Sequence, residues 1–201
     1  MESVAVIIAT FGNGELWAAL SERAEASVVN QEHPPTEIFR IHGPDLCTAR
    51  NMGADLSTTD WLIFLDADDE LDPYYIEKML EGSGDIRQPS TLGIVNDVED
   101  DYPVLIPPKA NLLQGNHLVI GSMIRSELFE IVGGFRDLPV LEDWDLWIRC
   151  WLAGAVIRPC PEAVYRVHVN PSSRNQGVDH NRIYKKLQNE YLHQAKKLGL
   201  L

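Results

Sequence analysis

Apolar positions along the chain change their period several times, and each change marks a candidate element. Val4–Ala9 is a continuous run of β-branched and small apolar residues, the pattern of a strand covered on both faces, and Thr10–Gly14 interrupts it. From Glu15 to Val29 the residues Leu16, Leu20, Ala24 and Val28 recur every four positions, which predicts an amphipathic helix packed on a sheet. Pro34 and Pro35 end that segment. "TEIFRIHG" (36–43) predicts a second strand closed by Gly43, Pro44–Leu56 a helix with Pro44 and Asp45 in its first turn, and "DWLIFLD" (60–66) a third strand. Asp72 and Pro73 supply an N-cap and a first-position proline for a helix through Leu80 that Gly82 stops. Residues 83–115 mix turn formers with short strand-like pieces and show no pattern beyond irregular or edge structure. "HLVIGSMI" (117–124) then predicts a strand, "RSELFEIVGG" (125–134) a short helix with a glycine stop, and "LEDWDLWIRCWLAG" (141–154) a helix beginning near Asp143. Two short strands, "AVIRP" (155–159) and "AVYRVH" (163–168), precede a terminal helix, Asn181–Leu198, with Ile183, Leu187, Tyr191 and Ala195 at spacing four.

Alternation of strand and helix predicts an α/β fold: a Rossmann-like, mostly parallel central sheet with helices on both faces, in a single domain. In such sheets ligands bind beyond the carboxyl ends of the strands. A length of 201 residues with 45% hydrophobic content suffices for one core of that kind. The formal charge of -13 argues against a nucleic-acid partner, which calls for a basic stripe. Cys47, Cys150 and Cys160 are odd in number and lack C-x-x-C spacing, so neither a zinc site nor a disulfide framework is expected, and a reducing cytoplasm fits. The apolar runs fall short of the roughly 18 residues of a membrane span, and Glu2 stands where a signal peptide has a basic region, so no transmembrane segment is expected.

The charge is unevenly placed. "FLDADDEL" (64–71) gathers Asp66, Asp68, Asp69 and Glu70 between the end of a predicted strand and the start of a predicted helix. Alternate residues at a strand end direct Asp66 and Asp68 toward one opening, where hard oxygen ligands hold Mg2+ or Mn2+. Asp69, Glu70 and Asp72 are read instead as a solvated helix N-terminus favoured by the macrodipole. His33, His117, His180 and His193 have no spacing that suggests ligation.

With these elements in place, four motifs resemble the family 2 glycosyltransferases of the GT-A fold, in that family's order. They are "VAVIIATF", "CTARNMGADLSTTDWLIFLDADDEL", "VGGFRDLPVLEDWDLWIRCWLAG" and "YRVH". The resemblance implies a nucleotide-binding half (1–82) and an acceptor and catalytic half (83–201). It implies inverting transfer of a sugar from a nucleoside diphosphate sugar, a UDP-sugar before a GDP- or dTDP-sugar, to a glycan, protein or lipid acceptor. Departure of the diphosphate develops negative charge, which a cation held by Asp68, with His168 as a further ligand, would stabilise. Asp66 would contact ribose or a metal-bound water, with Ala67 between the two carboxylates; Thr10 and Phe11 would line the base and ribose, and Arg50 would face the diphosphate. Inversion needs a base opposite the leaving group, and Asp143 is the candidate, an N-cap being its simpler role. Glu142 and Trp144 flank it and could shape the acceptor site, although Trp144 and Trp147 at spacing three equally fit the core face of their helix. The family's second strand usually ends in acids that touch the base, whereas this chain has "RIHGP", where His42 takes that place. Residues 167–180, with Arg174, suit a lid over the donor. Two rivals remain: a sugar nucleotidyltransferase, although "TFGNGELW" lacks the expected basic residues, and a binding module of the same fold without turnover.

Overall fold

The computed structural model describes residues 2–95, 98–100, 112–168 and 179–201. Its frame starts from β1 (Val4–Phe11), whose residues Val4 to Ile8 are essentially without exposed surface. Two helices account for that burial by covering opposite faces. On one side α1 (Gly14–Val29) starts from Asn13, whose side chain accepts from the Glu15 N–H at 3.2 Å, and packs over Ile8 and Thr10. On the other, α2 (Leu46–Leu56) starts from Asp45, whose carboxylate accepts from the Thr48 N–H at 2.7 Å, and presses Gly53 onto Ile7. Pro44 therefore lies outside α2, and Asp45 is its cap.

Strand β2 (Glu37–Gly43) and strand β3 (Trp61–Asp66) flank β1, both parallel to it. The remaining strands are β4 (Glu70–Leu71), β5 (Ile86–Val95), β6 (Val98–Asp100), β7 (Met123–Arg125) and β8 (Ile157–His168). All join one eight-stranded sheet in the order β2-β1-β3-β7-β5-β8-β4, with β6 paired to β5. The long pairings, β1 with β2 and β3 and β5 with β8, are parallel, and the short ones are antiparallel. Helix α3 (Tyr75–Glu81) packs on β8, α4 (Ser126–Ile131) follows β7, and α5 (Glu142–Leu152) and α6 (His180–Lys197) pack on each other and on a 3-10 turn at Leu112–Gln114. The stripe of α6 is as expected, with Leu187, Tyr191 and Ala195 buried. Cys47, Cys150 and Cys160 are free and buried. Among the described residues no helix is long and apolar enough to cross a membrane.

Several elements differ from the expectation. The patternless stretch 83–115 contains β5, a full central strand; Arg87 and Gln88 are buried polar residues in it, and Pro89 interrupts its pairing register with β8. Across from that irregularity the two expected strands at 155–168 are one, β8. "HLVIGSMI" is a strand only from Met123, because a turn bonds the Ser122 N–H to the Val119 carbonyl and the chain passes the Tyr165 ring at Gly121. Helix α3 begins two residues beyond Pro73, so Asp72 caps a turn rather than the helix.

The contact of α2 with β1 leaves no room at Gly53, where a Cβ would lie 2.5 Å from Ile7 Cγ2. Gly53→Ala is expected to cost about 1–3 kcal/mol by overpacking. The urea midpoint should fall with an unchanged slope, and an unaltered midpoint would contradict that packing.

Candidate active site

Strands β1, β2, β3, β5 and β8 run in one direction, so their carboxyl ends share one edge. That edge collects Thr10 and Phe11, His42, Asp66 and His168 from distant parts of the chain. The sheet divides them. Thr10 and His42 stand in register on the face covered by α1, with Thr10 Oγ1 and His42 Nδ1 3.0 Å apart, beside a pocket of about 300 Å³ that Trp17 also lines. Phe11 stacks on Trp17 with ring centroids 6.5 Å apart. Asp66 is in register with Ala9, and its carboxylate turns to the face covered by α2.

On that second face Arg50 is 2% exposed and spans two carboxylates, Asp66 Oδ1 at 2.6 Å and Glu142 Oε1 at 2.9 Å, with its guanidinium 5.1 Å from the Phe135 ring centre. The two carboxylates hold it firmly protonated against the cost of burial. Its charge is shared between these two side chains, and it links the β3 end to the start of α5.

Ala67 is buried, and Asp68 is partly exposed. Asp69, Glu70 and Asp72 do not form a solvated helix N-terminus. Asp69 is 6% exposed and accepts from the His168 N–H at 2.8 Å; Glu70 lies in β4, with the His168 Nε2 at 2.6 Å and Arg23 at 3.3 Å; Asp72 pairs with Arg166 at 3.1 Å. The pairing of β4 with β8 folds the acidic loop back onto the sheet, which the sequence pattern does not announce. Burial first, and then the neighbouring Asp66, raise the proton affinity of Asp68, and the same causes raise that of Asp69 well above the carboxylate range. Such crowding is what a divalent cation relieves, and Asp66 and Asp68 fit one by donor chemistry. The imidazole of His168 is engaged with Glu70 through Nε2. Among the described residues no three His, Cys, Asp or Glu side chains converge as a ready set of cation ligands.

A pocket of about 330 Å³ opens beside this cluster, with Arg50, Asp66, Asp69, Glu142 and Asp143 on its polar side and Leu118, Val119, Ile120, Leu141 and Val167 on its apolar side. Asp143 is not an N-cap. Helix α5 starts after Leu141, the one non-glycine residue at positive φ (63°) among those described, and Asp143 lies in its first turn. Its Oδ1 accepts from the Trp144 N–H and its Oδ2 from Asn116 Nδ2, both at 2.7 Å. Burial and the adjacent Glu142 push its pKa up to about 6. Trp144 is fully buried, donates from Nε1 to the Leu112 carbonyl at 2.6 Å and stacks on Tyr184 at 4.7 Å; like Trp147 it is core and cannot touch an acceptor. Two residues were not foreseen. Tyr165 accepts from the Asp66 N–H through its hydroxyl, and Asn116 sits in a segment with no readable period. His180, whose spacing carries no signal, lines the pocket at the start of α6. Arg174 and residues 169–178 of the expected lid lie outside the described residues.

Behind the pocket, Asp145 has no exposed surface and receives Arg136, Arg149 Nε at 2.9 Å and the Tyr191 hydroxyl at 2.6 Å. Arg149 also donates to the carbonyls of Val132 at 2.5 Å and Gly134 at 2.6 Å. The "VGGFRD" loop, α5 and α6 meet on this one carboxylate, which holds the helix that carries Asp143.

Residues 15–102 match the family model described as glycosyl transferase family 2. No curated protein is significantly similar to the chain in sequence. Among solved structures, S. aureus TarS superposes with a TM-score of 0.63 at 16% identity, over 96% of this chain and 43% of that one. The TarS 1–349 fragment in complex with UDP-GlcNAc gives 0.69 at 13% identity, over 96% and 66%, and its complex with UDP gives 0.62 at 14%, over 96% and 71%. This chain thus spans less than half of TarS, and the likeness establishes the Rossmann-like GT-A fold.

Proposed function

We propose that this chain, which has the fold and over residues 15–102 the sequence pattern of the family 2 glycosyltransferases, moves a sugar from a nucleoside diphosphate sugar to an acceptor hydroxyl with inversion. The observation that carries this reading is Asp143. It is a carboxylate with a pKa of about 6, held by two hydrogen bonds at the wall of a pocket that Asp66 also lines. A base of that strength is largely ionised at neutral pH and still strong enough to take a hydroxyl proton as the oxygen attacks. Glu142 shares the pocket wall and is held by Arg50, so the acceptor side carries two fixed carboxylates. Arg50 acts here by fixing Asp66 and Glu142.

A UDP-sugar is the favoured donor, since the TarS complexes contain UDP and UDP-GlcNAc; GDP- and dTDP-sugars are the alternatives, and the acceptor is a glycan, protein or lipid hydroxyl. Asp66 and Asp68 would hold a Mn2+ or Mg2+, which when bound offsets the charge of the departing diphosphate. Thr10, Phe11 and His42 would receive the nucleoside at the end of β1 and β2. Release of UDP from a panel of UDP-sugars with Mn2+ tests the activity, and tight UDP binding with no release from any sugar would indicate a module without turnover. Calorimetry of UDP binding to wild type and Asp68→Ala should show affinity that depends on Mn2+ in the first and is weak in the second. Equal affinities under all conditions would remove the cation.

A further inference from the structure

We infer that Asn116 is a positioning residue for the base: its side-chain amide holds one oxygen of Asp143 and fixes the direction in which the carboxylate faces the pocket. The inference rests on the reading of Asp143 as the base. Among the described residues each oxygen of Asp143 has one donor, the Trp144 N–H on Oδ1 and Asn116 Nδ2 on Oδ2, both at 2.7 Å. The first comes with the helix and belongs to the local backbone. The second comes from 27 residues away and exists only because another segment is brought there.

That segment is firmly held. The Leu112 carbonyl accepts from Trp144 Nε1 at 2.6 Å, the Leu113 carbonyl from Gln188 Nε2 at 2.7 Å, and the Gln114 carbonyl from the Tyr184 hydroxyl at 2.9 Å. Helices α5 and α6 therefore grip the turn immediately before Asn116 by three successive carbonyls. The amide itself is turned at a cost. Its buried Oδ1 has no hydrogen-bond partner among the described residues, while its NH2 faces Asp143. An ionised carboxylate can only accept, so the amide orientation serves the ionised form of Asp143 and leaves its own oxygen unsatisfied.

Removal of that donor should weaken the ionised form and raise the pH at which Asp143 gives up its proton. Among the described residues, the charged and titratable groups that line the pocket with Asp143 are Glu142 on α5, Arg50 on α2, Asp66 and Asp69 at the β3 end and His180 on α6. All remain in an Asn116 variant, so a change isolates the amide.

The test is a carbon-13 titration of aspartate carboxyl groups between about pH 4 and 8, with the Asp143 resonance assigned by its loss in Asp143→Asn. Wild type should titrate near about 6. Asn116→Ala should titrate higher by on the order of one unit, and Asn116→Asp higher still. In the wild type the Asn116 side-chain NH2 resonances should follow the same midpoint. A folded Asn116→Ala that titrates with the wild type overturns the role. So does an Asn116 NH2 signal that is unchanged across the wild-type titration, a result that needs no variant to fold. Because the titration uses no sugar donor, absence of transfer would sink the glycosyltransferase reading and leave this measurement standing.

Discussion

Asp143→Asn should lower sugar transfer by about 10²- to 10⁴-fold while donor affinity and thermal stability stay near wild type. Asn keeps the shape and can still accept from the Trp144 N–H, but it cannot take the acceptor proton. The pH profile follows from the same residue. With a pKa raised to about 6, Asp143 is protonated and idle below that pH, so kcat/KM should fall as pH drops through about 6. For stability the sign is opposite. The unfolded value is about 3.9, so the folded state gains proton affinity, and this group's contribution is fully present below that value and lost as pH rises through the folded pKa. At neutral pH the ionised, partly buried carboxylate is a cost that Asn does not carry, and the variant should melt no lower than wild type at pH 7. A variant that lost donor binding, or melted well below wild type, would make Asp143 a structural residue.

The largest expected loss of stability lies two residues further along the same helix. Asp145→Ala removes the carboxylate that Arg136, Arg149 and the Tyr191 hydroxyl share, and leaves a largely buried guanidinium without its anion. Breaking such a pair costs about 3–5 kcal/mol, and the low end applies because the Arg136 side chain is 41% exposed and regains water. Urea denaturation should show the drop, together with loss of transfer, since α5 carries Asp143. A wild-type midpoint would mean that α5 is held by its apolar face alone.

Much of this arrangement is written in local pattern, and some of it cannot be. Strands β1 and β3 are legible because both faces are covered, so their residues are apolar without a break, and helices α1, α2 and α6 because one face is. Strand β5 is illegible for the converse reason: its buried positions Arg87 and Gln88 bond to tertiary partners, the Met79 carbonyl at 2.7 Å and the His117 carbonyl at 2.7 Å, that no local period reveals. The meeting of Asp66 and Asp143 at one pocket follows from strand ends and motif order. What Arg50 does with its charge, the burial of Trp144 and the place of Asn116 all depend on contacts between segments far apart in sequence. The burial of Asp69 departs from the sequence pattern because a two-residue strand, β4, turns the loop inward on the strength of pairing with β8.

The division of the strand-end residues by the sheet has a bearing on how any donor must lie. Thr10 and His42 look toward α1, and Asp66 and Arg50 toward α2, so a single molecule in contact with both sets has to cross over the end of β1 as a strap crosses a ledge. Its two ends are then read by different layers of the protein. On the proposed function, changes on the α1 side would alter which nucleoside is accepted without moving the reacting carbon, and changes on the α2 side would alter the reaction without touching the choice of nucleoside. Selectivity and rate would then be separately adjustable properties of one short edge.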